Sequence, residues 1–130
     1  FDCTDYYNEE MGEELYRYWI SFSPLIQISE VYKIKVLSNK IESEFFSDDK
    51  GNRKVNLDTG YVDSSKLVLF STKNYSHRVY IGGGIFAEVT LLYKHKQFHI
   101  LEWTYPDYKT QTAVEFFSKV REVYNKEYTK

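Results

Sequence analysis

The sequence contains few of the residues and patterns that mark several common protein classes. Its single cysteine, Cys3, excludes an intrachain disulfide. No apolar run approaches the roughly 20 residues that a membrane-spanning helix needs. A net charge of -2 supplies no basic surface for nucleic acid or for insertion at an anionic membrane. With two prolines and no linker-like tract, the 130 residues are expected to form one soluble domain, residues 1–130.

Motifs for catalysis, metals and cofactors are also missing. The sequence has no nucleophile elbow, zinc-ligand spacing or dinucleotide fingerprint. Its one glycine run, Gly82-Gly83-Gly84, is followed by a strand-like rhythm rather than by Lys-Ser/Thr and a helix, so it does not match a phosphate-binding loop. We therefore expect a protein that is not an enzyme and that has no cofactor and no metal ion.

Two features concern the cellular compartment. The chain begins with Phe1 rather than Met, which favours removal of a leader and an extracytoplasmic location, periplasmic or secreted. Asn74 opens an Asn-Tyr-Ser sequon, a pattern that is too common to establish glycosylation.

Apolar residues at helical spacing predict one amphipathic helix near each end of the chain. The first spans residues 8–22, with Met11, Leu15, Trp19 and Phe22 on one stripe, and Pro24 stops it. The second spans residues 110–128, and its stripe comprises Ala113, Phe116, Phe117, Val120, Val123 and Tyr124.

Between these helices the periodicity is that of strands. Residues 27–46 alternate apolar and lysine side chains and predict a two-stranded hairpin, and residues 67–105 predict further strands separated by polar turns. The order predicts an α+β fold: an antiparallel β-meander of about five to seven strands, curved, with a helix at the N-terminus and one at the C-terminus.

The turns set a register for residues 67–105. A turn at His95-Lys96 pairs Tyr93 with Phe98 and continues to Val89 opposite Glu102. A two-residue turn at Gly83-Gly84 pairs Gly82 with Ile85 and places Arg78 opposite Val89. The third glycine leaves a bulge or a longer turn open, and either would move the preceding strand by one residue. On this register both faces of the sheet are apolar, so each needs a cover from a helix, the 47–65 loop or a second subunit.

Polar side chains interrupt those faces and form the candidate sites. The candidate lining of a small-ligand pocket is His77, Glu88, Thr90, His99, Trp103 and Tyr105. Glu88 is the candidate general base and the two histidines are the candidate metal ligands. Arg78 and Glu102 are predicted to form a buried structural ion pair, because a lone carboxylate among apolar neighbours is costly.

The leading functional hypothesis concerns the acidic N-terminal segment. Residues 1–16 carry six acids and no Lys or Arg, interspersed with tyrosines. Such a surface suits recognition of a basic protein partner, so we expect a non-enzymatic binding domain of inhibitor or immunity type. The predicted contact residues are Asp5, Tyr6, Tyr7, Glu9, Glu10, Glu13, Glu14 and Tyr16. Two alternatives stay open: a small-ligand or catalytic pocket between the curved sheet and a helix around Glu88 and Trp103, and a dimeric structural module.

Overall fold

The computed structural model describes residues 3–5, 16–22, 24–45, 50 and 55–128. Seven strands and two α-helices lie within these ranges. The strands are β1 (Cys3–Asp5), β2 (Tyr16–Tyr18), β3 (Gly60–Val62), β4 (Lys66–Ser71), β5 (Val79–Gly82), β6 (Ile85–Lys94) and β7 (Gln97–Ile100). The helices are α1 (Val31–Phe45) and α2 (Gln111–Tyr128), each preceded by a short 3-10 turn, Ile28–Glu30 and Pro106–Tyr108. The predicted α+β class, with a helix near each end of an antiparallel sheet, is confirmed.

The helix near the N-terminus is not the predicted segment. Residues 16–18 form a strand that pairs with β1, so the helix predicted over 8–22 is wrong from Tyr16 onward. Residues 8–15 lie outside the described residues. The hairpin predicted over residues 27–46 is wrong as well, because this stretch forms α1.

The buried face of α1 explains why its periodicity was misleading. The buried residues follow helical spacing, but three of the four are polar: Val31, Lys35, Ser38 and Glu42. Several apolar residues of the helix, including Val36, Leu37 and Phe45, are exposed. Apolar spacing therefore could not reveal this helix, although its buried side follows the expected i, i+4, i+7 pattern.

Those buried polar side chains hold the chain that leads into the sheet. Lys35 Nζ donates a hydrogen bond to the carbonyl oxygen of Leu57 (3.1 Å), and Glu42 Oε2 accepts one from the Leu57 amide (2.5 Å). Both backbone groups of Leu57 are thus satisfied by one helix. This offsets the cost of burying two charged side chains.

Arg17 fastens the N-terminal segment to the rest of the domain. Its guanidinium forms ion pairs with Asp58 (3.1 Å) and Asp107 (2.7 Å). It also lies 5.1 Å from the ring centroid of Trp19 and 5.5 Å from that of Tyr108. The Arg17 charge is thus balanced by two carboxylates, and its guanidinium also makes cation–π contacts with two aromatic rings.

The main sheet is organised around β6. Strand β4 pairs with one edge of β6, and β3 pairs with the outer edge of β4. Strands β5 and β7 share the opposite edge of β6, β5 beside its first residues and β7 beside its last. Strands β4 and β5 therefore do not pair with each other, and residues 72–78 cross over β6 to connect them.

The predicted register is correct on one side of β6 and wrong on the other. Strand β7 pairs Tyr93 with Phe98 and Leu91 with Ile100, as predicted. Strand β5 pairs Gly82 with Ile85, as predicted, but the next pair is Tyr80 with Phe86. Ile81 is therefore the extra residue of a bulge, which was the open alternative at the glycine triplet.

A helix covers each face of the sheet. On one face Leu67, Leu91 and Phe98 pack with Ala113 and Phe117 of α2 in a buried cluster. On the other, Val68, Phe70 and Ile85 pack with Val31 at the start of α1. Both covers come from the chain itself, so the apolar faces no longer call for a second subunit. Neither described helix is long and apolar enough to cross a bilayer.

The turn between β3 and β4 depends on one carboxylate. Asp63 Oδ1 accepts hydrogen bonds from the Ser65 amide (2.8 Å), the Ser65 hydroxyl (3.0 Å) and the Lys66 amide (3.0 Å). Burial raises the pKa of Asp63, but the hydrogen bonds from Ser65 and Lys66 outweigh it, so the pKa lies below its ordinary value. The ionised carboxylate is thus the form that stabilises the turn.

Replacing Asp63 by Ala is expected to lower the free energy of unfolding by about 1 kcal/mol at neutral pH, since it removes an acceptor shared by three donors. Because the native pKa is depressed, this contribution is present above the ordinary carboxyl pKa of about 4. It is lost as the pH falls through the native value. Urea unfolding at neutral and acid pH should therefore show the two proteins converging in acid.

Asp63→Asn is the matched control, since its amide oxygen keeps an acceptor but cannot titrate. A difference between parent and Asp63→Ala that stays constant down to acid pH would contradict the role given to the ionised carboxylate.

Candidate functional site

The edge of β6 that pairs with β5 and β7 has no strand partner in its middle among the described residues. Strand β5 pairs no further along β6 than Ala87, and pairing with β7 begins only at Leu91 of β6. Glu88, Val89 and Thr90 therefore have no strand partner on this edge within the described chain. The other edge of β6, which pairs with β4, is irregular at the same point. There Thr90 is the extra residue between the pairs Val68–Val89 and Leu67–Leu91. Bulges of this kind are over-represented beside functional sites.

The turn that follows β7 closes one side of this interruption. The Thr104 hydroxyl donates to the Thr90 carbonyl oxygen (2.6 Å) and accepts from the Leu101 amide (2.8 Å). Trp103 Nε1 donates to the Val89 carbonyl oxygen (2.7 Å). Two side chains thus take the place of a strand partner, and they fix the orientation of the Trp103 ring.

The crossover 72–78 closes the other side, and its end contacts Glu88. Glu88 is 3% exposed. Its Oε1 accepts hydrogen bonds from His77 Nε2 (2.9 Å) and Arg78 Nε (3.0 Å), and its Oε2 accepts one from the Thr90 hydroxyl (3.1 Å). The buried carboxylate is therefore satisfied on both oxygens, and its charge is balanced by the Arg78 guanidinium.

Arg78 ties the crossover together around this ion pair. Its Nη1 donates to the Ser71 hydroxyl and to the Lys73 carbonyl oxygen, both at 3.1 Å. Its Nη2 lies 3.5 Å from the Tyr105 hydroxyl, and the guanidinium carbon is 4.6 Å from the ring centroid of Tyr75. With a side chain only 5% exposed, Arg78 is a structural cation rather than one free to bind a ligand.

The His77 ring lies in a stack of aromatic side chains. The Trp103 ring is 5.0 Å away at 18°, and the Tyr75 ring is 6.1 Å away at 12°. His77 is therefore held by a hydrogen bond at its edge, to Glu88, and by stacking with two aromatic rings. The outer members of the stack are accessible, with Trp103 37% exposed and Tyr75 50% exposed.

An open depression of about 510 Å³ lies against this stack. Its lining residues are Ser76, His77, Glu102 and Trp103. Glu102 is exposed and has no ion-pair partner among the described residues. With Glu88 and Arg78 cancelling each other, Glu102 sets the charge of the depression, which is negative.

The structure brings together five of the six predicted pocket residues: His77, Glu88, Thr90, Trp103 and Tyr105. His99 lies elsewhere, where its Nε2 bonds the Lys94 carbonyl oxygen (2.9 Å). The surroundings also differ from the prediction, because the depression is built from the crossover and the 101–105 turn rather than from the sheet and a helix. Among the described residues, no three His, Cys, Asp or Glu side chains cluster as metal ligands.

The predicted ion pair between Arg78 and Glu102 is wrong. The bulge at Ile81 shifts Arg78 alongside Glu88, and β7 ends at Ile100, so Glu102 never pairs across from Val89. Sequence reasoning also missed Tyr75, Ser76 and Thr104. No sequence pattern identified them, because their roles depend on the crossover and on the break in the sheet edge.

The predicted protein-binding surface lies largely outside the described residues. The backbones of Asp5 and Tyr16 pair with each other across β1 and β2. The other members of the set are not described: Tyr6, Tyr7, Glu9, Glu10, Glu13 and Glu14. Recognition of a basic protein through these residues stays a prediction.

With this geometry in place, the chain can be compared with known proteins. The model of a family described as a domain of unknown function, DUF4416, matches residues 1–124. The chain therefore belongs to the DUF4416 family. No curated protein and no solved structure matches it significantly.

Proposed function

We propose that this domain binds a small organic cation in the depression beside Trp103. The observation that carries the proposal is the pairing of a partly exposed, fixed indole ring with an unpaired carboxylate, that of Glu102, in one depression. An aromatic face attracts a cation through its quadrupole, and a carboxylate adds a full charge and hydrogen-bond acceptors.

The charge balance of the site supports a cation over an anion. The nearest guanidinium, Arg78, is buried and already bound to Glu88, so it offers little to an anionic ligand. The negative charge that remains accessible belongs to Glu102. An anion placed against Trp103 would meet this carboxylate and would lose hydration without gaining a partner.

The form of the site also limits the ligand's size and affinity. A volume of about 510 Å³ falls within the range of small-molecule sites. The depression is open, however, so a bound molecule keeps part of its surface in water. We therefore expect small polar ligands with modest affinity rather than a buried cofactor.

Benzamidine, benzyl alcohol and benzoate provide a matched set of cationic, neutral and anionic probes with one ring each. Calorimetric titration is expected to show binding of benzamidine and much weaker binding of the other two. Trp103→Leu and Glu102→Gln are each expected to weaken benzamidine binding about fivefold or more, because a cation–π contact or a charge-assisted hydrogen bond is worth about 1 kcal/mol or more.

Glu122→Gln serves as the control, because it neutralises an exposed acid on α2, outside the depression. Equal binding of all three probes, or equal weakening by Glu122→Gln and Glu102→Gln, would contradict the proposal.

A further inference from the structure

We infer that the site selects cations that carry N–H donors in a plane, of the guanidinium or amidinium type, through His77 Nδ1. The inference rests on the proposed function, because it names the chemical class of the cation that the depression binds. It assigns His77 as a specificity-determining hydrogen-bond acceptor and Glu88 as the residue that positions it.

The hydrogen bond to Glu88 fixes which ring nitrogen of His77 carries the proton. A carboxylate only accepts hydrogen bonds, so the His77 nitrogen that lies 2.9 Å from Glu88 Oε1, Nε2, must be the N–H donor. In a neutral imidazole the other nitrogen, Nδ1, then has a lone pair. The single negative charge of Glu88 is already matched by Arg78, so a neutral His77 leaves the buried cluster without net charge.

The packing around His77 directs that lone pair toward the depression. One ring edge is occupied at Nε2 by Glu88, and the ring stacks with Trp103 and Tyr75. The side chain is nevertheless 21% exposed and lines the depression. Since Nε2 is bound to Glu88 and the ring stacks on two aromatic side chains, we assign this lining to the edge that carries Nδ1. No partner for Nδ1 occurs among the described residues.

The depression then presents two acceptors and one flat surface. Glu102 offers a carboxylate, His77 offers Nδ1, and Trp103 offers an aromatic ring. A planar guanidinium or amidinium can stack on the ring while directing N–H groups at both acceptors. A fully methylated ammonium has the same charge but no N–H, so it would leave Nδ1 desolvated and unpaired.

The ligand test compares benzamidine with benzyltrimethylammonium by calorimetric titration at neutral pH. Both probes are aromatic cations, so the proposed function expects both to bind, and a preference for benzamidine that came from Glu102 alone would be the same in the parent and in a variant at His77. The inference expects benzamidine to bind about tenfold more tightly, because a ligand that leaves a desolvated acceptor unpaired has a dissociation constant about tenfold higher. His77→Phe keeps a flat ring in the stack and removes the acceptor, so it should clearly reduce this preference while both probes still bind; an unchanged preference would contradict the inference.

The tautomer can be measured without any ligand. The chain has three histidines, and the double variant His95→Gln/His99→Gln leaves His77 as the only one. Nitrogen NMR of the neutral imidazole in this variant is expected to show the proton on Nε2 and none on Nδ1.

The results separate the two claims. If neither probe binds, the proposed function and the inference both fail. If both probes bind equally, or if NMR finds the proton on Nδ1, the inference fails and the cation site stands.

Discussion

Glu88→Ala is expected to lower the free energy of unfolding by about 3–5 kcal/mol, because it breaks a buried ion pair by removing one partner. Arg78, with its side chain 5% exposed, would keep its charge and lose the carboxylate that balances it. His77 and Thr90 would each lose an acceptor as well. Denaturant unfolding followed by circular dichroism measures the change, with the slope of the transition checked for two-state behaviour.

Glu102→Ala is the matched control for Glu88→Ala. It removes the same side chain from an exposed turn position, so the free energy of unfolding should change by no more than about 0.5 kcal/mol. The sequence predicted Glu102 as the ion-pair partner of Arg78, and the structure gives that role to Glu88. A Glu88→Ala protein that unfolds at the same denaturant concentration as Glu102→Ala would show that the buried cluster does not hold the crossover in place.

If Glu88→Ala does not fold, the double variant Glu88→Leu/Arg78→Leu keeps the claim testable. Replacing both partners leaves no unpaired buried charge, so this protein should be more stable than Glu88→Ala. A double variant that is equally unable to fold would contradict the charge argument.

Gly60→Ala is expected to destabilise the sheet by about 3 kcal/mol or more. Gly60 pairs with Leu69 across β3 and β4, and a Cβ at this position would lie 2.1 Å from the Val68 carbonyl oxygen. That atom belongs to the backbone of the paired strand, so the clash cannot be relieved by a side-chain rotation. Overpacking usually lowers the free energy of unfolding by about 1–3 kcal/mol, and a clash with backbone atoms belongs at the upper end of that range. Thermal and urea unfolding would both report the loss.

Gly84→Ala separates steric crowding from backbone strain. Gly84 has φ of +79° in the turn between β5 and β6, and nothing lies within 4 Å of its would-be Cβ. Its substitution should cost only the penalty of left-handed backbone geometry, about 1–2 kcal/mol. If Gly84→Ala proved as damaging as Gly60→Ala, the close approach at Gly60 would not be the cause of its effect.

The strand pairing that local turns determine could be predicted from the sequence. The hairpin of β6 and β7 is closed by two residues, His95 and Lys96. A two-residue turn at this position pairs Tyr93 with Phe98 and so determines the register. Helix α2 could be predicted for the same kind of reason, because its apolar stripe includes the buried Ala113 and Phe117. Helix α1 could not, because its inward face is formed mainly by Lys35, Ser38 and Glu42, and their burial is offset by contacts with a segment 15 or more residues away.

The sequence predicted that several polar residues of the site lie near one another, but not which of them pair. Alternation placed His77, Glu88 and Thr90 on one face, and these side chains do contact one another, but it placed Trp103 on a strand that in the structure ends at Ile100. It paired Arg78 with the wrong carboxylate because one additional residue, Ile81, is accommodated in a bulge. Periodicity carries no signal for a bulge or for the end of β7 at Ile100, beyond which the Thr104 side chain bonds back to β6.

The most direct test of the central claim, that the break in the edge of β6 is a cation-binding site, uses the two indole N–H signals of the protein. The chain has two tryptophans, and Trp103→Phe assigns their signals by removing one. Trp103 lines the depression and donates its Nε1 proton to Val89, whereas Trp19 is buried in the core beside α2. Titration with benzamidine is expected to shift the Trp103 signal in a saturable manner and to leave that of Trp19 in place. A Trp103 signal that does not move while benzamidine binds, or a shift confined to Trp19, would contradict the account.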